Sequence, residues 1–158
     1  MSGSVPTITG VAGRKGFSVI SVEKAMMNSE KGFGRKVLQV VEEAGLSFEH
    51  LPTGIDTMCV VVAGEALAPV REEVVGRILE LTHADTLTVH DNMSIIATVG
   101  RGMVHNCGTA ARLFSAMSQA GINVRMIDQG SSELSIIVGV DDQDFEKTIQ
   151  AIYSAFVN

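Results

Sequence analysis

The feature that most constrains the fold is a tandem repeat. Gly32, Gly45 and Gly54 recur as Gly108, Gly121 and Gly130, each 76 residues further on. The same shift carries Ser18 onto Ser94, Met27 onto Met103, Ala44 onto Ala120 and Val62 onto Val138. It predicts an ungapped correspondence of residues 17–62 with 93–138. Identities are few, but apolar positions fall on apolar positions almost throughout, which a chance spacing of glycines does not produce. The 158 residues are therefore expected to form two small modules on one plan.

Each module reads as β-α-β-β-α. Residues 17–22 and 94–99 are β-rich runs. A helix follows, with Phe33, Val37, Leu38, Val41 and Ala44 on one face and Gly45 as its left-handed stop. Its counterpart carries Ala110, Leu113, Phe114 and Met117 and stops at Gly121. Strands are predicted over 46–51 and 58–63, and over 122–127 and 134–140, joined through turn-rich stretches. A second helix starts after Pro69, with Val70, Val74, Val75, Ile78 and Leu79 inward; its partner starts near Asp144 and buries Phe145, Ile149, Ile152 and Phe156.

A strand at 86–90 completes the first module as a ferredoxin-like βαββαβ unit, an α+β antiparallel sheet with both helices on one face. The second module reaches Phe156 without a fourth strand, whereas residues 7–11 are β-like and unused. The economical expectation is that this N-terminal segment, with Pro6 tolerated at an edge, completes the second module. The domains are then residues 15–91, and residues 5–14 plus 92–158.

Composition narrows the function. The chain carries 12 Lys+Arg against 18 Asp+Glu and is 4% aromatic, with no Trp. It lacks the basic footprint and stacking platforms of a nucleic-acid binder. No run approaches the roughly 20 apolar residues of a membrane helix, and the N-terminus shows no signal segment. Cys59 and Cys107 fit no ligand spacing and suggest buried thiols in a reducing cytoplasm. His50, His83, His90 and His105 contain no i, i+4 pair, so no metal site is expected. The glycines of residues 10–16 and 100–108 match neither a P-loop nor a dinucleotide fingerprint. No catalytic constellation is present.

One loop suggests ligand chemistry. In Met27-Asn-Ser-Glu-Lys-Gly-Phe-Gly34 two glycines stand where the first helix begins. The first amides of a helix lack internal partners and carry partial positive charge, a natural seat for a carboxylate. Strand alternation puts Ser47 and Glu49 on one side and Leu46 and Phe48 on the other. Glu49 can then meet an ammonium group beside the seated carboxylate, a combination that fits a free amino acid. The ungapped shift puts Asn123 and Arg125 at the corresponding places in module two, where an arginine would repel an ammonium.

Three stretches resemble the tandem ACT-domain regulatory region of aspartokinases. They are Ile8-Thr-Gly-Val-Ala-Gly-Arg-Lys-Gly-Phe17, Met26-Met-Asn-Ser-Glu-Lys-Gly-Phe-Gly-Arg-Lys-Val37 and Ala120-Gly-Ile-Asn-Val-Arg-Met-Ile-Asp-Gln-Gly-Ser-Ser-Glu-Leu-Ser135. The resemblance implies feedback control of aspartate phosphorylation by an end-product amino acid, lysine first and threonine next. Carried over by position, the effector residues are Met27, Ser29, Gly32, Gly34, Ser47, Phe48, Glu49 and Thr53. Asn28, with Asn123 and Val124 from a partner's second domain, form a second tier. The family usually has aspartate at the position of Glu49, and many lysine-sensitive members read Thr-Ser-Glu where Thr53-Gly-Ile-Asp56 stands. The resemblance further implies a cytoplasmic homodimer paired through ACT domains and coupled to a kinase domain. No cofactor belongs to this chain; ATP and Mg belong to that kinase domain. Alternatives are a free-standing amino-acid-binding regulator or β-subunit, and a small acylphosphatase-like enzyme using Arg14-Lys15 or Arg101.

Overall fold

The computed structural model describes residues 7–105, 107–129 and 135–157. Pro6 and the Gly130–Leu134 part of the third motif lie outside the described residues. The chain divides into two compact units, Gly16–Asn92 and a second made of Met1–Lys15 with Met93–Asn158.

In the Gly16–Asn92 unit the strands are β1 (Gly10–Glu23, entering from the other unit), β2 (Phe48–His50), β3 (Thr57–Ala63) and β4 (Thr86–Val99, leaving into it). Their order is β2-β3-β1-β4. β3 is antiparallel to both neighbours, with Ile20 opposite Val60 and Phe48 opposite Val62. Helices α1 (Phe33–Glu43) and α3 (Arg71–Thr82) pack on one another, preceded in α3's case by the short α2 (Gly64–Leu67). The core between helices and sheet contains Ile20, Val22, Val60 and Val62 from the strands, and Phe33, Val37, Val41, Val74 and Ile78 from the helices. Each such side chain contributes about 1.5–3 kcal/mol through burial. Leu79, expected inward, is exposed, and so are most of its neighbours on the outer turn of α3.

The second unit repeats the plan, with order β5-β6-β4-β1 from β5 (Met126–Gln129) and β6 (Ser135–Asp141). Helices α4 (Thr109–Gln119) and α5 (Phe145–Val157) bury Leu113, Met117 and Ile152 against Ile96, Ile136, Val138 and Val140. Ile8 and Val11 pack into this core, and the Thr9 amide donates to the Val99 carbonyl at 2.7 Å. The N-terminal segment therefore completes the second unit, as the unused β-like stretch implied. Both units are ferredoxin-like.

The helix stops are alike. Gly45 (φ 74°) and Gly121 (φ 72°) follow α1 and α4 in the left-handed region. The amides of Gly45 and Leu46 donate back to Glu42 and Val41, and those of Gly121 and Ile122 to Ser118 and Met117. This pair of bonds is a Schellman closure and satisfies carbonyls the helix leaves open.

Two expectations need correction. First, the strands predicted separately at 86–90 and 94–99 are one continuous β4, which passes a left-handed residue at Asn92 (φ 56°). β1 does the same at Gly16 (φ 82°), 76 residues earlier. Second, the repeat is not ungapped. The shift is 76 for β1 to β4 and α1 to α4, but β3 and β6 share one burial pattern at a shift of 78. Two extra residues lie between Gly121 and β5, so Val62 corresponds to Val140 and not Val138. The second strands are also shorter than predicted, since Leu46–Ser47 and residues 122–125 are not in strand.

Candidate functional site

The loop between β1 and α1 is built by its charges. Lys24 Nζ donates to the Thr82 carbonyl (2.7 Å) and pairs with Glu30 Oε2 (2.7 Å), while Lys36 Nζ stands 3.5 Å from Glu30 Oε1. The hydrogen bond from Lys24, then the charges of Lys24 and Lys36, hold the Glu30 carboxyl below its usual range. The Ala25 amide donates to Asp85 Oδ2 at 2.8 Å. These contacts fasten both ends of the loop, and Met27 is buried in the core between them. Met26 adopts φ 63° and is exposed; Asn28 and Ser29 are exposed, with Ser29 Oγ donating to the Met26 carbonyl.

Helix α1 then opens without a side-chain cap. Its N-cap is Gly32 at φ 82°, ψ 6°, a conformation open to glycine and strained for other residues. The first ladder bond runs from the Lys36 amide to the Gly32 carbonyl. The amides of Phe33, Gly34 and Arg35 therefore precede the ladder, and the macrodipole makes this end attractive to an anion. Phe33 is buried and anchors the turn, with Lys24 Nζ 6.0 Å from its ring centre.

From here a shallow path leads to β2. Two adjoining open depressions share Leu38 and Glu42; one reaches Gly34 and the other reaches Ser47 and Phe48. β2 is the outer strand of its sheet, so its free edge lies beside this path. Phe48 is 48% exposed while Leu46 is buried, so the simple alternation that paired these two is wrong. The cause is that Leu46 and Ser47 precede the strand, so its two-residue period does not reach them; beyond Phe48 the pairing is itself irregular, with Phe48 opposite Val62 and His50 opposite Val61. Ser47 and Glu49 are both exposed, with Glu49 inside β2 and Ser47 just before it. Thr53 lies beyond, bridged to Met58, its hydroxyl donating to the Leu51 carbonyl at 3.1 Å.

Of the residues named from the sequence, Gly34, Ser47 and Phe48 thus line one continuous surface, and Gly32 caps the helix from which it starts. Lys24, Glu30 and Lys36 were missed. Their contacts join a strand end, a loop and a helix, and no local spacing rule marks such a set.

The second unit carries the same helix start, with Gly108 at φ 82°, ψ 6° and no side-chain cap. Its approach strand differs. By the corrected register Arg125 corresponds to Ser47 and Ile127 to Glu49. Arg125 pairs with Asp141 at 2.9 Å, and Ile127 is exposed. Asn123 is exposed and Val124 half-buried, both in the two-residue-longer connection. Cys59 is half-buried and Cys107 exposed, so neither is the buried thiol expected. Among the described residues no group of three His, Cys, Asp or Glu could hold a metal ion, and no helix is long and apolar enough to cross a membrane.

The ACT domain family matches residues 96–156. The chain is 43% identical over 150 residues to aspartokinase 3 of Bacillus subtilis, covering 94% of this chain and 33% of that protein. Among solved structures, the aspartate kinase of Clostridium acetobutylicum superposes with a TM-score of 0.91 at 46% identity, over 94% of this chain and 34% of that one. The regulatory subunit of aspartate kinase from Thermus thermophilus shares the fold, with a TM-score of 0.79 at 23% identity, over 95% of this chain and 98% of the subunit. The chain spans a third of the length of the two full kinases it matches. Over almost its whole length the chain is thus similar to the ACT-domain region of aspartokinases.

Proposed function

We propose that the Gly16–Asn92 unit seats an end-product amino acid, lysine first and threonine next, and that the seat feedback-controls phosphorylation of aspartate by an attached or associated kinase domain. The observation that carries this is the uncapped start of α1 opening onto a surface continuous with Ser47 and Phe48. The effector's carboxylate takes the amides of Phe33, Gly34 and Arg35, and its ammonium takes Glu49. Met27, Ser29 and Asn28 shape the loop side of the seat and Thr53 its far side. The free edge of β2 and the exposed Phe48 favour pairing with a second copy, whose Asn123 and Val124 would close the seat. An effector that prefers one state of such an assembly by about 1–3 kcal/mol changes kinase affinity or activity roughly 5–150-fold. The alternative is a non-covalent β-subunit; native mass measurement with a co-expressed kinase domain separates the two arrangements.

Calorimetric titration with lysine, threonine and methionine, singly and in pairs, tests the seat. Saturable heat is expected with at least one of them, and E49Q should weaken it about tenfold or more. Absence of heat with all three, or unchanged affinity in E49Q, would overturn the assignment.

A further inference from the structure

A third depression in the Gly16–Asn92 unit lies away from the α1 start and has no part in the proposal above. Gly16, Ser18, Gly64, Glu65, Arg71 and Asp91 line it. Its floor is tightly built. A Cβ added at Gly64 would stand 2.9 Å from the Gly16 carbonyl oxygen and 3.2 Å from Ser18 Oγ, so α2 begins in direct contact with β1. Buried Ser18 donates to Asp91 Oδ1 (2.7 Å), and Arg71 Nη1 donates to Asp91 Oδ2 (2.6 Å).

The charges at the rim are unevenly satisfied. Asp91 is held from two sides. Arg71 commits one nitrogen to it, and a guanidinium has five N–H donors in a planar fork. Glu65 is exposed and makes no hydrogen bond or ion pair among the described residues. The same concavity therefore presents open guanidinium donors and an uncompensated carboxylate, with the apolar Phe17 and Ala68 beside them.

We infer that this depression is a second ligand site, for a zwitterionic α-amino acid. The ligand's carboxylate lies on the open N–H groups of Arg71, and its ammonium on Glu65. Arg71 is shared between ligand and Asp91 and is not stripped from its partner, so the ion pair that holds the strand stays in place. A simple anion satisfies only Arg71 and leaves Glu65 repelling it; a simple amine satisfies only Glu65. Recognition requires both groups on one small molecule.

The test follows backbone amides of the 15N-labelled 158-residue chain by NMR during titration with glycine, threonine and lysine, and with acetate and methylamine as half-ligands. Saturable shifts at Gly16, Ser18, Gly64 and Glu65 are expected with at least one amino acid up to about 10 mM, and not with either half-ligand. R71Q and E65Q should each weaken that response about tenfold. E65Q is the decisive variant, because among the described residues Glu65 makes no hydrogen bond or ion pair. Shifts absent from these four amides, equal affinity in E65Q, or equal shifts with acetate alone would overturn the proposal. Amides of Gly32 to Arg35 report the effector seat separately, so either site can fail while the other stands.

Discussion

Gly34→Ala separates stability from ligand binding at the α1 start. Gly34 is the second residue of α1, and a Cβ added there would lie 3.8 Å from Met58 Sδ and 3.9 Å from Met58 Cε. These are ordinary contact distances, so the methyl enters without displacing anything. Alanine also removes freedom from the unfolded chain and favours helix; the full interior effect is about 1 kcal/mol, and about half of that is reasonable in the first turn. G34A should therefore be about 0.5 kcal/mol more stable, raising Tm by about 1–2 °C for a chain of this size. A helical Cβ tilts toward the N-terminus, the side from which the effector's carboxylate is to approach the first amides, so affinity should fall about tenfold. Gly32→Ala provides the contrast. Nothing lies within 4 Å of its added Cβ, but φ is 82°. A left-handed L-residue costs about 1–2 kcal/mol, offset in part by about 0.4–1 kcal/mol from the unfolded state. G32A should thus lose about 1 kcal/mol. Urea unfolding and calorimetric titration of both variants give the four quantities. A G34A protein destabilised by more than about 1 kcal/mol, or one binding its effector unchanged, would refute the geometry argued for the seat.

Two further outcomes rest on the fold itself. Thr98 Oγ1 is buried without a partner among the described residues, and the equivalent residue of the first unit is the core residue Val22. Thr98→Val should raise the urea midpoint by about 1 kcal/mol of stability, and a lower midpoint would show that the hydroxyl has a role. At Asp91 the Ser18 hydrogen bond, and after it Arg71, lower the carboxyl's pKa. A depressed carboxylate contributes stability above its unfolded value of about 4 and loses it as pH falls through the folded value. The gap between wild type and D91N should therefore be widest near neutrality, at under about 1 kcal/mol because the pair is exposed, and should close in acid. A gap that is constant with pH would discount the ion pair.

What could be read from the sequence was local in origin. The amphipathic stripe of α1 and its glycine stop each lie within one turn or two, and Val37, Val41 and Gly45 take the predicted roles. The unused N-terminal strand was legible because a four-stranded plan lacked one member. The two-residue insertion before β5 was not legible, for a specific reason. A strand's faces repeat every two residues, so an even offset leaves apolar matched to apolar and the 76- and 78-residue alignments look equally good. The coincidence of Gly54 with Gly130 then favoured the wrong one. The clasp of Glu30 by Lys24 and Lys36 was hidden because its members meet only after the strand, loop and helix have folded. The register error has a consequence for chemistry. The residue corresponding to Glu49 is Ile127 and not Arg125, whose charge is already matched by Asp141. The second unit keeps the same helix start, but at the position of Glu49 it has the exposed Ile127. At this register position the two units therefore differ by a carboxylate in the first and an exposed isoleucine in the second, and not by an unmatched positive charge.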